Sequence, residues 1–414
     1  MKKHRRWYTI LLLASLTFSL QSCLGIGNTN NNFQKTNTGS NGTSIGVNNT
    51  NQAIFKGKIY FTLDRNLYVL DGTRTLHQLT NGIDVRDPAI SPDGKWIAFI
   101  IRYNFYSDLV YMPVGGGPQH VVVSGKGQYF LNQDGANDYY WFAQPSWSTD
   151  STRLLFLSDL QKMYYWRQLG GDFANAYFLD LQTFSLPINA PTLTAQQALN
   201  VVQPVAYADF GDGGDRDPSY RPNHPNQVIY THYTYDAVTQ TKQLIQLYLE
   251  DTSLMLKPHY PAYHPGVEGS GLDPSVALTP PTPDLANMEP SFSPDGNSLV
   301  YVRRIDATHE GIYIMPVADG VTANPNDPAI QKQALAPYDK SSMIMTQQYL
   351  SQPTWSPDGK QLIYFGYANN TFDIWLANLS IDPKTGAYSL KGDPIQLTDA
   401  GGHLDGDSRP FWTL

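Results

Sequence analysis

A single cysteine, Cys23, occurs in 414 residues, so no disulfide can form within the chain. Charge is also scarce: 15% of residues are charged, and 28 basic side chains stand against 36 acidic ones for a formal charge of -8, which argues against a polyanion such as nucleic acid as partner. No segment sustains a helical period, which argues against an appended α/β enzyme domain. A Gly-x-Ser-x-Gly nucleophile string is missing too; the nearest approach, Thr43-Ser44-Ile45-Gly46, has no strand before it and no helix after it. What the chain does have is 41% hydrophobic and 13% aromatic residues, ample for a sizeable core.

The first 22 residues carry Lys2, Lys3, Arg5 and Arg6, followed by an uncharged apolar run from Trp7 to Leu20. That run is too short for an ordinary membrane-spanning helix and reads as a secretory signal. It ends in Leu20-Gln21-Ser22-Cys23, which resembles the bacterial lipobox; the resemblance implies that Cys23 is acylated and becomes the new N-terminus. Acyl chains contribute about 0.8 kcal/mol per buried methylene, so such a chain is held at a membrane surface. Removing the signal takes four basic residues and no acidic one, leaving 24 minus 36, or -12. Residues 28–51 hold nine Asn and one charge, Lys35, and are expected to be a flexible tether. The expected organisation is a signal peptide over 1–22, an Asn-rich tether over 23–52 beginning at the acylated Cys23, and a folded domain over 53–414.

That domain repeats itself. PAISPDGKWIAF begins at Pro88, PSWSTDSTRLLF at Pro145, PSYRPNHPNQVIY at Pro218, PSFSPDGNSLVY at Pro290, PTWSPDGKQLIY at Pro353, and a truncated PFWTL at Pro410. Each full copy sets a tight turn between two apolar strands; Ser-Pro-Asp-Gly suits the turn because proline presets φ and glycine accepts a positive one. A third strand follows, as in residues 176–181, 312–317 and 373–379, then a fourth near a Leu-Thr ending such as 394–398. Four strands per repeat make a propeller blade. The leading prolines are 57, 73, 72, 63 and 57 residues apart, so the loops are long. The last copy stops after one strand, and residues 57–62, 66–72 and 76–80 look like its missing partners. The expectation is an all-β, six-bladed propeller of four-stranded antiparallel blades, with strands from both ends of the chain sharing one blade.

The Pro-x-Trp-Ser-Pro-Asp-Gly-Lys pattern, seen whole at 353–360, resembles the β-propeller repeat of the TolB family, which also occurs in propellers of the tricorn and prolyl oligopeptidase groups. The resemblance spans about residues 57–414 and implies fold more than function. TolB proteins carry an α/β domain before the propeller and are soluble in the periplasm; here a tether and a lipid anchor are expected in that place, so the Pal-binding role does not carry over automatically. The peptidase relatives need a hydrolase domain, so their activity does not carry over either.

In a propeller blade, loops between the second and third strands and between blades open on one face. Ahead of each first strand stand Arg86-Asp87, Ala143-Gln144, Arg216-Asp217, Met288-Glu289, Ser351-Gln352 and Ser408-Arg409, expected to ring the channel mouth. They either brace neighbouring blades or grip a peptide terminus or small polar ligand. Tyr139, Tyr140, Trp141 and Phe142, with Tyr164, Tyr165 and Trp166, make a second candidate, suited to sugar rings or a protein hot spot unless they pack on one another. A third candidate is a Ca²⁺ or other divalent metal centre drawn from Asp209, Asp212, Asp215, Asp217, Asp405 and Asp407 with His232, His309 and His403; a propeller lyase acting on oligogalacturonate uses a histidine cluster at such a place.

Together these readings give an exported, lipid-anchored envelope protein, facing the periplasm or the cell surface and monomeric. It is expected to bind or scaffold a protein, peptide or glycan at the mouth face without catalysis and without a cofactor. The rival expectation is a metal-assisted carbohydrate lyase or hydrolase.

Overall fold

The computed structural model describes residues 32–36, 42–129, 137–163, 180–189, 191–206, 213–236, 238, 240–256, 275–283 and 285–414. Cys23, the signal segment, Tyr164, Tyr165, Trp166, Asp209 and Asp212 lie outside the described residues.

Each Ser-Pro-Asp-Gly turn is locked by its own side chains. Ser293 Oγ donates to Asp295 Oδ1 at 2.5 Å and accepts the Ser298 N–H at 2.9 Å. The same clasp recurs from Ser91 to Asp93, Ser148 to Asp150 and Ser356 to Asp358, at 2.6, 2.6 and 2.7 Å. The hydroxyl thereby satisfies a backbone donor that the turn leaves without a ladder partner. In the Pro218 copy Arg221 stands in for the serine: it is fully buried and donates to Gly296 O at 2.7 Å and pairs with Asp319 at 3.0 Å, joining its turn to the next one.

Strand pairing turns the repeats into sheets. The Pro88 sheet runs Asp84–Ile90, Trp96–Arg102, Ser107–Pro113 and His120–Ser124, with Leu193–Thr194 added in parallel on its outside. The Pro145 sheet holds Phe142–Trp147, Arg153–Ser158, Gln182–Pro187 and Gln203–Ala206. Its third strand is therefore Gln182–Pro187, beyond the expected 176–181. The Pro218 sheet begins at Asp215–Tyr220, the Pro290 sheet at Asn287–Phe292 and the Pro353 sheet at Leu350–Trp355, each followed by antiparallel partners. The Pro410 sheet orders Phe411–Thr413, Lys58–Leu63, Asn66–Asp71 and Leu76–Gln78. In that sheet Ile59 pairs with Trp412 and Tyr60 with Phe411, so the two ends of the described chain are stitched together. Gly57 makes this approach possible: its φ is +84°, and a Cβ there would collide with the Thr413 carbonyl oxygen.

The expected six four-stranded blades are corrected by what pairs in the structure. The described residues form seven sheets of three or more strands, two of them with a fifth strand, and a two-stranded ribbon from Lys126–Tyr129 and Asn137–Tyr139. The seventh is a three-stranded sheet of Phe33–Lys35, Gly46–Asn48 and Thr398–Asp399. It carries no Ser-Pro-Asp-Gly hairpin, so counting hairpins misses it. The flexible tether is corrected over the same residues. Ile45, Val47, Ala53 and Phe55 are buried at the seam between the Pro353 and Pro410 sheets, beside Phe365 and Trp412. Each large apolar side chain so buried contributes about 1.5–3 kcal/mol, enough to order an otherwise polar stretch.

Buried apolar clusters join each sheet to the next: Ile97 and Phe99 meet Tyr60 and Leu67, Leu154 and Phe156 meet Ile100 and Leu109, and Tyr301 meets Leu247 and Leu249. Trp147 and Trp355 also donate their indole N–H to Ala89 O and Ser291 O of the preceding sheet, at 2.9 and 3.1 Å. The result is an all-β propeller whose stability lies in the seams between sheets.

Candidate functional site

Five residues preceding the prolines share one backbone device. Asp87, Gln144, Asp217, Glu289 and Gln352 have φ of +53°, +49°, +54°, +54° and +53°, and the pairing register shifts at each. A left-handed non-glycine residue costs about 1–3 kcal/mol, so five in equivalent places need compensation. The bulge re-aims each side chain, and the side chains supply hydrogen bonds. Asp87 accepts the Gln144 N–H at 3.1 Å and the Arg409 N–H at 2.9 Å, while its own N–H donates to Ser408 Oγ at 2.9 Å. Gln144 clasps Asp217 twice, donating from Nε2 at 2.9 Å and accepting the Asp217 N–H at 2.6 Å. Thr231 Oγ1 accepts the Glu289 N–H at 3.2 Å, and Glu289 Oε2 accepts the Gln352 N–H at 2.6 Å. Arg409 reaches across the mouth and donates to Pro145 O at 3.0 Å and Pro218 O at 3.3 Å.

Beneath this ring lies a cavity of about 110 Å³ lined by five of the six repeat prolines, all but Pro218, with Asp217, Glu289, Gln352 and Arg409 among its polar walls. That volume suits a few waters and not a sugar ring. Burial raises the Asp87 and Asp217 carboxyls above their usual range, opposed in both by the Arg409 charge. Glu289 is pushed up to about 8, by desolvation first and then by the neighbouring Asp217 carboxylate. An acid whose folded pKa is raised binds more protons folded than unfolded, so its stabilisation is present below about 4.5 and is lost as pH climbs through about 8. Unfolding free energy is therefore expected to fall over that window, and Glu289→Gln to flatten the slope; denaturant titrations from pH 4.5 to 8.5 check it, and a parallel slope in the variant contradicts it.

The ring's other arginines are also committed. Arg86 is buried and meets Asp84 at 2.9 Å, Asp405 at 3.0 Å and Asp407 at 3.1 Å; Arg102 adds contacts to Asp84 and Asp407, both at 3.4 Å. Arg216 donates to Asp215 O at 2.6 Å and lies over the Tyr233 ring at 5.7 Å. The metal candidates are dispersed. His232 pairs with Asp215 at 2.9 Å, His309 with Asp306 at 3.1 Å and His403 with Asp64 at 3.0 Å, each on a different sheet or its flanking loop. Asp405 and Asp407 serve Arg86, and among the described residues no group of three or more His, Cys, Asp or Glu is placed to hold a metal ion.

The aromatic candidates divide. Tyr140 and Phe142 are core residues; Phe142 packs edge-on against Phe156, and burial pushes the Tyr140 phenol up to about 12. Trp141 is half-buried, its backbone N–H donating to Asp159 Oδ1 at 2.9 Å. Tyr139 turns outward into a stack that the sequence reading missed. Phe105 stacks on Tyr139 with centroids 5.8 Å apart, Tyr139 on Tyr106 at 5.6 Å, and Tyr106 on Tyr103 at 4.5 Å. Phe105 is 64% exposed and Tyr103 41%. Both lie in the turn between Trp96–Arg102 and Ser107–Pro113, beside Arg102 and hence on the mouth face. Three aromatic residues in the four positions 103–106 were the signal that could have found it. A smaller group sits near the corresponding turn of the Pro353 sheet, where exposed Tyr367 contacts partly buried Phe372 and meets exposed Tyr349, the residue before the strand Leu350–Trp355.

Sheets, seams and mouth define a β-propeller. No family model matches the sequence, and no curated protein does. Among solved structures, TolB from Acinetobacter baumannii superposes with a TM-score of 0.50 at 15% identity, covering 86% of this chain and 66% of that one. An oligogalacturonate lyase in complex with manganese gives a TM-score of 0.43 at 12% identity over 86% of this chain and 82% of that one, and a nidogen/laminin complex 0.45 at 9% over 86% and 96%. At such identities the likeness is one of fold: this chain has a TolB-like propeller, and the match spans about two thirds of the length of that TolB chain.

Proposed function

We propose that this protein is an exported propeller, anchored to the cell envelope through an acylated Cys23, that binds or scaffolds an envelope protein, peptide or glycan on its mouth face. The observation that carries this reading is the stack Phe105, Tyr139, Tyr106 and Tyr103, which presents ordered aromatic surface to solvent beside the charged Arg102 and Asp407. Exposed aromatic rings with polar groups at their margin are the usual anchors of partners and sugars. The channel ring supports the same reading from the other side, because its polar groups are spent on one another. The binding surface thus lies off the axis, on the Pro88 sheet and its neighbour.

The test is crosslinking and pull-down of the anchored protein from its own envelope, comparing the native chain with Phe105→Ala. Because Phe105 is mostly exposed, the substitution is expected to leave the melting temperature nearly unchanged. Loss of a hot-spot ring costs about 2 kcal/mol or more, so recovery of a specific partner is expected to fall at least tenfold. Unchanged recovery would return the ligand to the channel.

A further inference from the structure

We infer a second binding site, for a small phosphate- or carboxylate-bearing polyol, where the N-terminal sheet meets the outer edge of the Pro410 sheet. A cavity of about 370 Å³ opens there, three times the size of the channel cavity and within the range of small-molecule sites. Its walls carry Lys35 and Arg74 together with the side chains of Thr36, Thr73, Thr75 and Asn49, and no carboxylate. In a chain whose formal charge is -8, two cations converging without an acidic residue in the lining make a locally positive pocket.

The cations are held differently. Arg74 sits at φ +68° and gives one terminal nitrogen to Thr50 O at 2.7 Å, which fixes the guanidinium while leaving its other nitrogens without a partner among the described residues. Lys35 is exposed at the end of Phe33–Lys35 and has no ion pair among the described residues. Asp71, just before the lining threonines, is turned into its own turn: its Oδ1 accepts the Thr73 and Thr75 N–H groups at 2.9 and 3.0 Å and the Thr73 hydroxyl at 2.6 Å, and its Oδ2 faces His77 Nε2 at 3.6 Å. An anchored guanidinium and an exposed ammonium suit an oxyanion, while the Asn49 side chain and the lone pairs left on Thr36 and Thr73, whose hydroxyls donate to Ile45 O and Asp71 Oδ1, suit hydroxyls on the same molecule. The site exists only because the Asn-rich segment folds back onto the propeller, and it is separate from the aromatic stack.

Calorimetric titration of the purified full-length chain with glycerol 1-phosphate, glucuronate and maltose tests the site. Saturable binding of either anion is expected, about tenfold weaker in Lys35→Gln, restored in Lys35→Arg, and unaltered in Phe105→Ala, since a hydrogen bond to a charged group is worth about 1.5–3 kcal/mol. The anion that binds identifies the oxyanion class. Absence of binding by both anions, equal affinity in Lys35→Gln, or equal binding of neutral maltose would overturn the inference.

Discussion

Removing the last four residues, Phe411 to Leu414, is expected to leave a chain that does not fold cooperatively. Those residues supply the inner strand of the Pro410 sheet, three residue pairs with Lys58, Ile59 and Tyr60, and the indole N–H of Trp412 that donates to Lys56 O at 2.7 Å. Phe411 also packs against the clusters on both sides of the Pro88 sheet. Without them the Lys58–Leu63 strand becomes an open edge with buried apolar faces, a template for aggregation. The single substitution Trp412→Ala isolates the packing part: Trp412 is 5% exposed, and truncating a buried Trp to Ala costs about 3–5 kcal/mol. Urea unfolding followed by tryptophan fluorescence and by circular dichroism reads both variants. A truncated chain with a cooperative transition at the native midpoint would contradict the closure.

Arg409→Ala is the second large effect. Its guanidinium is the cation that opposes the raised pKa of both Asp87 and Asp217, and it ties Pro145 O to Pro218 O across the mouth. Deleting one partner of a buried charge set typically costs about 3–5 kcal/mol, because the remaining charges stay buried without compensation. The loss should depend on pH in a definite direction. Below the raised pKa values of Asp87, Asp217 and Glu289 these groups take up protons, and the missing cation matters less. The variant is therefore expected to be far less stable than the native protein at pH 8.5 and closer to it at pH 5. Adding Glu289→Gln to Arg409→Ala should recover part of the loss at the higher pH. Equal destabilisation at both pH values would mean that Arg409 acts through packing alone.

The parts of this molecule that repeat were legible in its sequence. Ser-Pro-Asp-Gly marked the hairpins because its serine and aspartate close the turn they occupy, and Phe411-Trp412 announced a strand in need of partners near residue 57. The N-terminal sheet was not legible, since Phe33, Ile45, Val47 and Phe55 are too few and too widely spaced among asparagines to form a pattern; the burial of Ile45, Val47 and Phe55 depends on a seam created by residues about 300 positions away. The channel-mouth residues were named by position with two uses open, bracing or gripping, and the choice between them was not legible, because left-handed backbone at Asp87 or Glu289 leaves no mark in composition. The histidines were equally visible and equally uninformative: only coordinates reveal that Asp215, Asp306 and Asp64 each take one of them. Tyr139 was singled out as a loop aromatic and lies instead at the end of the strand Asn137–Tyr139, while its stacking partners in 103–106 were passed over as an ordinary turn.

Ligand is expected to meet the aromatic rim, and the polar mouth to hold the propeller together. The most direct measurement is the affinity of the partner recovered from the envelope for three proteins: the native chain, Phe105→Ala and Glu289→Gln. The account predicts at least a tenfold loss for Phe105→Ala, as expected for a hot-spot ring, with native affinity for Glu289→Gln. Native affinity in Phe105→Ala with weakened binding in Glu289→Gln would place the ligand in the channel and contradict it.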